Sequence, residues 1–214
     1  RRGPQPGLPV GKRLAGHLLA ELLHALAHFY EARAGTDEIP MLDTVAEVLI
    51  GITEGESPTA PEPGPLPVVR LLEGVDPGSD GLLAAFLSVA PDLPWTQTRA
   101  YVDSLPAEFL DNYGYVRLVG SAGVVHSERA SIGIGVWGAG LRYPPHVHPA
   151  EETYHVLAGD VEFRGADGVY RALGPGDVAH NGPSEPHELR FGDRTCVVAW
   201  AWTGEIGVDA RLVG

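Results

Sequence analysis

Between about Gly11 and Ala34 apolar residues recur at steps of three and four: Leu14, Leu18, Leu22 and Leu26, joined by Leu19, Leu23, Phe29 and Tyr30. That period gathers them on one side of an amphipathic helix, which the sequence predicts to end near Gly35. His17, His24 and His28 share a face of it; His24 and His28 stand at i, i+4, but without an acidic or cysteine partner they read as solvated. A second helical piece comes over Leu42 to Ile52. Five prolines between Gly55 and Pro67 then forbid a regular helix or a central strand, so this stretch reads as an extended connector. Helical signals return at Leu82 to Val89 and at Thr98 to Leu110, separated by the breaker Pro91-Asp92-Leu93-Pro94. Trp95, next in the chain, is placed to pack the helices onto the remainder of the fold.

From Tyr113 the period changes. Short apolar runs punctuated by glycine cover Tyr115 to Val119, Ser131 to Trp137, Tyr154 to Leu157, Val161 to Arg164, Val169 to Leu173, His187 to Phe191 and Thr195 to Trp202. Many short strands at close spacing predict an all-β sandwich or barrel. The expectation is a mainly β protein in two parts packed as one unit, a helical N-terminal extension over residues 1–110 and a β-barrel over 111–214. No internal repeat of fixed period is visible.

Composition narrows the partners. The chain is 44% hydrophobic and 20% charged, an ordinary globular balance, and no apolar run reaches the roughly 18 residues of a membrane span. With 28 acidic against 15 basic side chains, the net charge of −13 makes nucleic acid and anionic membranes poor partners. An anionic substrate would therefore need a local cation. The one cysteine, Cys196, lies in an apolar run and is expected to pack as a small hydrophobe. Arg1-Arg2-Gly3-Pro4 does not lead into a charged-then-apolar signal segment, so the start reads as a trimmed or processed chain and the cytoplasm is the default compartment. A monomer or a homodimer fits equally.

The candidate chemistry is concentrated in Gly140–Gly159. His146 and His148 stand one residue apart, Glu152 comes four residues later, and Tyr143 and Tyr154 flank them. Two imidazoles and a carboxylate suit a borderline divalent metal and leave coordination positions open for substrate. Alternate residues of a strand share a face, so the even numbers of His146, His148, Glu152 and Tyr154 group them, while Glu151 and His155 point the other way. Glu152 is therefore preferred over Glu151. A further imidazole is expected from His187, which opens a later strand after a turn; His180 is the competitor. These donors accept Zn2+ or Fe2+, and also Mn2+ or Ni2+.

Gly140-x5-His146-x-His148-x3-Glu152-x6-Gly159 resembles the first motif of the cupin superfamily in full. Gly176-x10-His187 resembles the second in degenerate form, with Ser184 where a glycine is usual and Phe191 where an asparagine is usual. The resemblance implies a metal-binding jelly-roll barrel. Tyr143-Pro144-Pro145-His146-x-His148-Pro149-Ala150-Glu151-Glu152-x-Tyr154 is further similar to the cupin-type dimethylsulfoniopropionate lyases, which carry a helical N-terminal extension. That likeness implies His148, Glu152 and His187 as metal ligands, His146 as a further ligand or near neighbour, and Tyr154 and Tyr143 in catalysis and substrate binding. The implied reaction is a β-elimination to dimethyl sulfide and acrylate, with Tyr154 the first choice of base and Tyr143 the second. A cationic sulfonium suits an aromatic wall, for which Trp202 and Trp137 are the candidates. An Fe(II) oxygenase, a sugar isomerase or epimerase, and a non-catalytic module binding a small carboxylate are the competing readings.

Overall fold

The structure is a computed structural model that describes residues 10–35, 38–55, 58–59 and 61–213, with side chains from residue 15 onward. Arg1 to Pro4 and the side chain of Leu14 lie outside the described residues. The first helix, α1, runs Val10–Glu31, and its apolar stripe is buried through Leu19, Leu22, Leu23, Leu26 and Tyr30. His17, His24 and His28 stay exposed on the opposite side, as expected, although His17 and His28 each face a glutamate, Glu21 at 3.4 Å and Glu31 at 3.7 Å. Next comes α2 (Met41–Thr53), then the connector, whose Gly64 forms an isolated bridge to Pro94. A 3₁₀ turn at Pro67–Gly74 leads to α3 (Gly81–Val89), whose N-cap Asp80 accepts from the Leu83 N–H at 2.9 Å. The helix expected over Thr98–Leu110 is two short ones, α4 (Arg99–Val102) and α5 (Ala107–Asp111). Pro106 explains the break: it has no N–H for a continuing ladder and serves as the N-cap of α5.

Eleven strands come next among the described residues: β1 (Tyr113–Gly120), β2 (Val125–His126), β3 (Ala130–Trp137), β4 (Arg142–Val147), β5 (Glu151–Ala158), β6 (Val161–Arg164), β7 (Tyr170–Leu173), β8 (Val178–Asn181), β9 (His187–Phe191), β10 (Cys196–Thr203) and β11 (Arg211–Leu212). They form two sheets, one of six strands in the order β2-β1-β3-β10-β5-β8 and one of five in the order β11-β4-β9-β6-β7. The architecture is a mainly β jelly roll with N-terminal helices. Its sheets face each other across the interior and are not joined into one closed ladder.

The central strands of the six-stranded sheet are buried on both faces, which is why β3 and β10 read as continuous apolar runs instead of alternating ones. On one face Ile132, Ile134, Val136, Val197, Ala199 and Ala201 join the core made by α1, α2 and α3. On the other, Trp137, Tyr154, Val156, Val198, Trp200 and Trp202 join residues of the five-stranded sheet. Glycines alternate with the apolar residues of β3 because indoles lie flat on its inner face. A Cβ on Gly133 would stand 2.6 Å from the Trp200 ring and 2.1 Å from the Val116 carbonyl oxygen, and one on Gly135 2.5 Å from the Trp137 ring. No helix among the described residues is long and apolar enough to cross a membrane.

Candidate metal and catalytic site

The chain passes from one sheet to the other at His148-Pro149-Ala150, between β4 and β5. The crossing brings residues of both sheets to one point. His146 on β4 pairs in register with His187 on β9, their ring centroids 4.1 Å apart. Glu152 on β5 stands between Trp202 of β10 and Asn181 of β8. One ligand atom each from His148, Glu152 and His187 lies within 4.8 Å of the others, and all three side chains are buried. His146 is buried beside them but outside that group of three. Glu151, one residue away, turns outward and meets His180 at 2.8 Å, so the competing carboxylate and the competing imidazole satisfy each other at the surface.

The hydrogen bonds set the tautomers. Nδ1 of His146 lies 2.9 Å from the Pro144 carbonyl, that of His148 3.0 Å from Ala150 and that of His187 3.0 Å from Glu185. A carbonyl can only accept, so each Nδ1–H donates and each neutral ring turns its Nε2 lone pair inward. Nε2 of His148 and of His187 then face Glu152 Oε2 at 3.0 and 3.1 Å, while Nε2 of His146 and His187 are buried without a hydrogen-bond partner. Lone pairs converging on a carboxylate oxygen repel unless a proton or a cation sits among them. With protons in that place, burial by itself would raise the Glu152 carboxyl, but the charge and hydrogen bond of His148, and then those of His187, outweigh it and hold it well below the usual range. For His148 burial lowers and Glu152 raises, with a net upward shift; burial, with His187 next, holds His146 well down.

An outer layer fixes these groups. Trp202 Nε1 donates to Glu152 Oε1 at 2.5 Å, and its ring stacks on His148 at 4.2 Å between centroids. Asn181 Nδ2 donates to Oε2 at 3.4 Å. Tyr143 stacks on His146 at 4.0 Å and donates its hydroxyl proton to the Tyr101 hydroxyl at 3.0 Å. Tyr154 stands edge-on to His187 and to Trp137, with ring centroids 6.0 and 6.5 Å away. Burial raises Tyr154 and Tyr143 well above the usual phenol range; next in importance are the Glu152 charge for Tyr154 and Tyr113 for Tyr143. His146, His148, Glu152, Tyr143, Tyr154, Trp137 and Trp202 border a cavity of about 40 Å³ that also takes in Thr98, Tyr113, Tyr115, Arg117, Trp200, Asp209 and Ala210. Sequence reasoning brought His146, His148, Glu152, Tyr143, Tyr154, Trp202 and Trp137 to this wall, with His187 beside them, and missed Thr98, Tyr113, Tyr115, Arg117, Asp209 and Ala210. Arg117 had a signal in hand, since an acidic chain with an anionic ligand needs a local cation.

Fold and site together define a cupin-type protein with a donor set able to hold a metal ion. Three inward Nε2 atoms and a carboxylate held ionised are what such an ion requires, and two of those nitrogens have no other partner. The sequence matches the dimethylsulfoniopropionate lyase family over residues 43–198, and the chain belongs to that family. It is 36% identical over 123 residues to dimethylsulfoniopropionate lyase DddQ of Ruegeria pomeroyi, covering 57% of this chain and 60% of that protein. To DddL of Cereibacter sphaeroides it is 30% identical over 126 residues, covering 58% and 51%. The chain therefore matches only about half to three-fifths of the length of these relatives. Among solved structures it resembles a chain from the crystal structures of the DMSP lyases RdDddP and RnDddQII, with a TM-score of 0.74, 25% identity and coverage of 94% and 100%. It also resembles the crystal structure of DMSP lyase DddQ from Ruegeria pomeroyi DSS-3, with a TM-score of 0.68, 28% identity and coverage of 83% and 98%.

Proposed function

We propose that this protein cleaves dimethylsulfoniopropionate to dimethyl sulfide and acrylate, as a carbon-sulfur lyase acting by β-elimination. The observation that carries the reading is the buried group of His148, Glu152 and His187 with Tyr154 beside it in an aromatic pocket. Family membership supports the substrate. A divalent ion held by His148, Glu152 and His187, with His146 as a further ligand, supplies Lewis-acid stabilisation of charge on the substrate carboxylate and favours a neighbouring phenolate. Zn2+ and Fe2+ suit this donor set best, with Mn2+ and Ni2+ as substitutes.

The remaining chemistry belongs to side chains. The Tyr154 phenolate takes the proton from the carbon α to the carboxylate, and the C–H electron pair becomes the new double bond. The bond from the β carbon to sulfur breaks with its electrons going to sulfur, which leaves as neutral dimethyl sulfide. Tyr143, anchored through Tyr101, orients the substrate and is the alternative base. Trp137 and Trp202 wall the sulfonium, whose weakly hydrated charge favours the face of an indole. Burial keeps bulk water from competing for the base. The ligand is a small zwitterion. We further assign residues 1–110 to an extension that supports the site and 111–214 to the part that carries it, in a cytoplasmic monomer or homodimer.

The test is a headspace assay on metal-loaded protein given dimethylsulfoniopropionate, which should release dimethyl sulfide and acrylate without consuming oxygen. Tyr154→Phe should keep its metal and lose most turnover. Oxygen uptake with no sulfide would assign the site to an oxygenase, and a fully active Tyr154→Phe would pass the role of base to Tyr143.

A further inference from the structure

Two cavities meet at one side of the fold. The inner one, about 40 Å³, is lined by His146, His148 and Glu152 with Tyr143 and Tyr154. The outer one, about 640 Å³, is more open and is lined by Pro94, Trp95, Gln97 and Arg99 among others. Tyr115, Arg117 and Asp209 line both, so these three side chains form the neck between them. Arg117 comes from β1 and its side chain is 14% exposed; Asp209 comes from the segment between β10 and β11 and is 60% exposed. The guanidinium Nη2 stands 3.8 Å from Asp209 Oδ1, beyond hydrogen-bond distance, and 5.9 Å separate its carbon from the centre of the Trp200 ring. The pair is close enough to define a local dipole and loose enough to leave both groups free to meet a ligand.

Charge gives this dipole a task. A chain of net charge −13 repels carboxylates, and the inner cavity adds the Glu152 carboxylate. Among the described residues lining that cavity, Arg117 is the one arginine and there is no lysine. An anionic group that has passed Arg99 in the vestibule therefore meets Arg117 as the one arginine at the inner cavity, while a cationic group meets Asp209 and the faces of Tyr115 and Trp200, whose rings lie 5.7 Å apart. We propose that Arg117 and Asp209 form a charge-selective neck, admitting small zwitterions with one carboxylate and one onium group over ligands of a single charge. Naming the preferred zwitterion as a sulfonium carboxylate rests on the function proposed above; the selection by charge rests on the neck alone.

The experiment titrates the metal-loaded full chain with two half-ligands, propionate and trimethylsulfonium, following tryptophan fluorescence, for which Trp200 is the reporter at the neck. Arg117→Gln should weaken propionate about ten-fold and tighten trimethylsulfonium, and Asp209→Asn should do the reverse. Both variants should raise KM for dimethylsulfoniopropionate, with the loss in kcat/KM carried mainly by KM. A purely structural role would shift both half-ligands in the same direction, and that result, or no shift in either, overturns the proposal. If the wild type releases no dimethyl sulfide while the opposed shifts appear, the cleavage reading fails and the neck stands. Sulfide release without the opposed shifts overturns the neck and leaves the cleavage reading in place.

Discussion

Trp202→Phe isolates one hydrogen bond of the site. The indole N–H donates at 2.5 Å to Glu152 Oε1, while Oε2 of the same carboxylate faces His148 at 3.0 Å, His187 at 3.1 Å and Asn181 at 3.4 Å. Both residues are buried, so water does not replace the lost donor. A hydrogen bond to a charged group contributes about 1.5–3 kcal/mol, roughly a 10- to 150-fold change in an equilibrium constant. Phenylalanine keeps an aromatic face over His148, where the rings now stack at 4.2 Å, so packing changes little. The carboxylate is then free to rotate about its terminal torsion, and Oε2 no longer points constantly at the imidazole nitrogens. The metal dissociation constant should rise about 10- to 100-fold, the range typical when an outer hydrogen bond to a ligand is removed. Competition with a chromophoric chelator near neutral pH measures it, with circular dichroism as the check on folding. A folded variant whose affinity stays within two-fold of wild type would refute the orienting role of the N–H.

Two further outcomes concern stability. Burial, helped by Arg33, lowers His155 to about 3, whereas in the unfolded chain it titrates near the ordinary histidine value of about 6.5. The unfolded state takes the proton first as pH falls, so stability present above pH ~6.5 is lost downward through the window toward about 3, with about 2 kcal/mol going between pH 7 and 5. Urea denaturation at those two pH values should show this loss in the wild type and about 2 kcal/mol less of it in His155→Leu; equal losses would refute the assignment. Ser184 is the one described non-glycine residue with positive φ, at 61°. Ser184→Gly should relieve that conformation and stabilise by about 0.5–1 kcal/mol net of glycine's greater chain entropy, read as a higher thermal midpoint, and a lower midpoint would contradict it.

That serine shows how far the sequence could be read. The cupin motif expects glycine there, and the backbone explains why: Ser184 adopts the left-handed region while its N–H donates to the His148 carbonyl at 2.9 Å. Phe191, at the asparagine position, stacks on Trp137 with centroids 5.2 Å apart, so an apolar ring packs behind the pocket wall where a polar group is usual. Parity along β5 separated Glu152 from Glu151 because a strand period of two survives any uncertainty about its neighbours. Strands with less pattern were missed. β4 holds Pro144 and Pro145, which lack the N–H of a regular ladder, yet the strand bulges between Tyr143 and His146 and still pairs with β9. β2 and β11 have two residues each, too few to show any period. The neck was invisible because Arg117 and Asp209 are brought together only by the tertiary fold.

The two-sided burial of the central strands has a consequence for how the pocket keeps its shape. Along β5, Glu152, Tyr154 and Val156 look toward the pocket, while Thr153, His155 and Leu157 look toward the helices, with His155 edge-on to Phe29 and Tyr30 at 5.4 Å. Six consecutive residues thus serve two separate interiors, one on each side of a single sheet. A substitution in α1 that shifts how the helix rests on His155 moves the same backbone that aims Glu152. The remote helical face is therefore coupled mechanically to a pocket it never touches, and pruning the chain to its strands alone should loosen the aim of Glu152 even with every residue of the pocket kept.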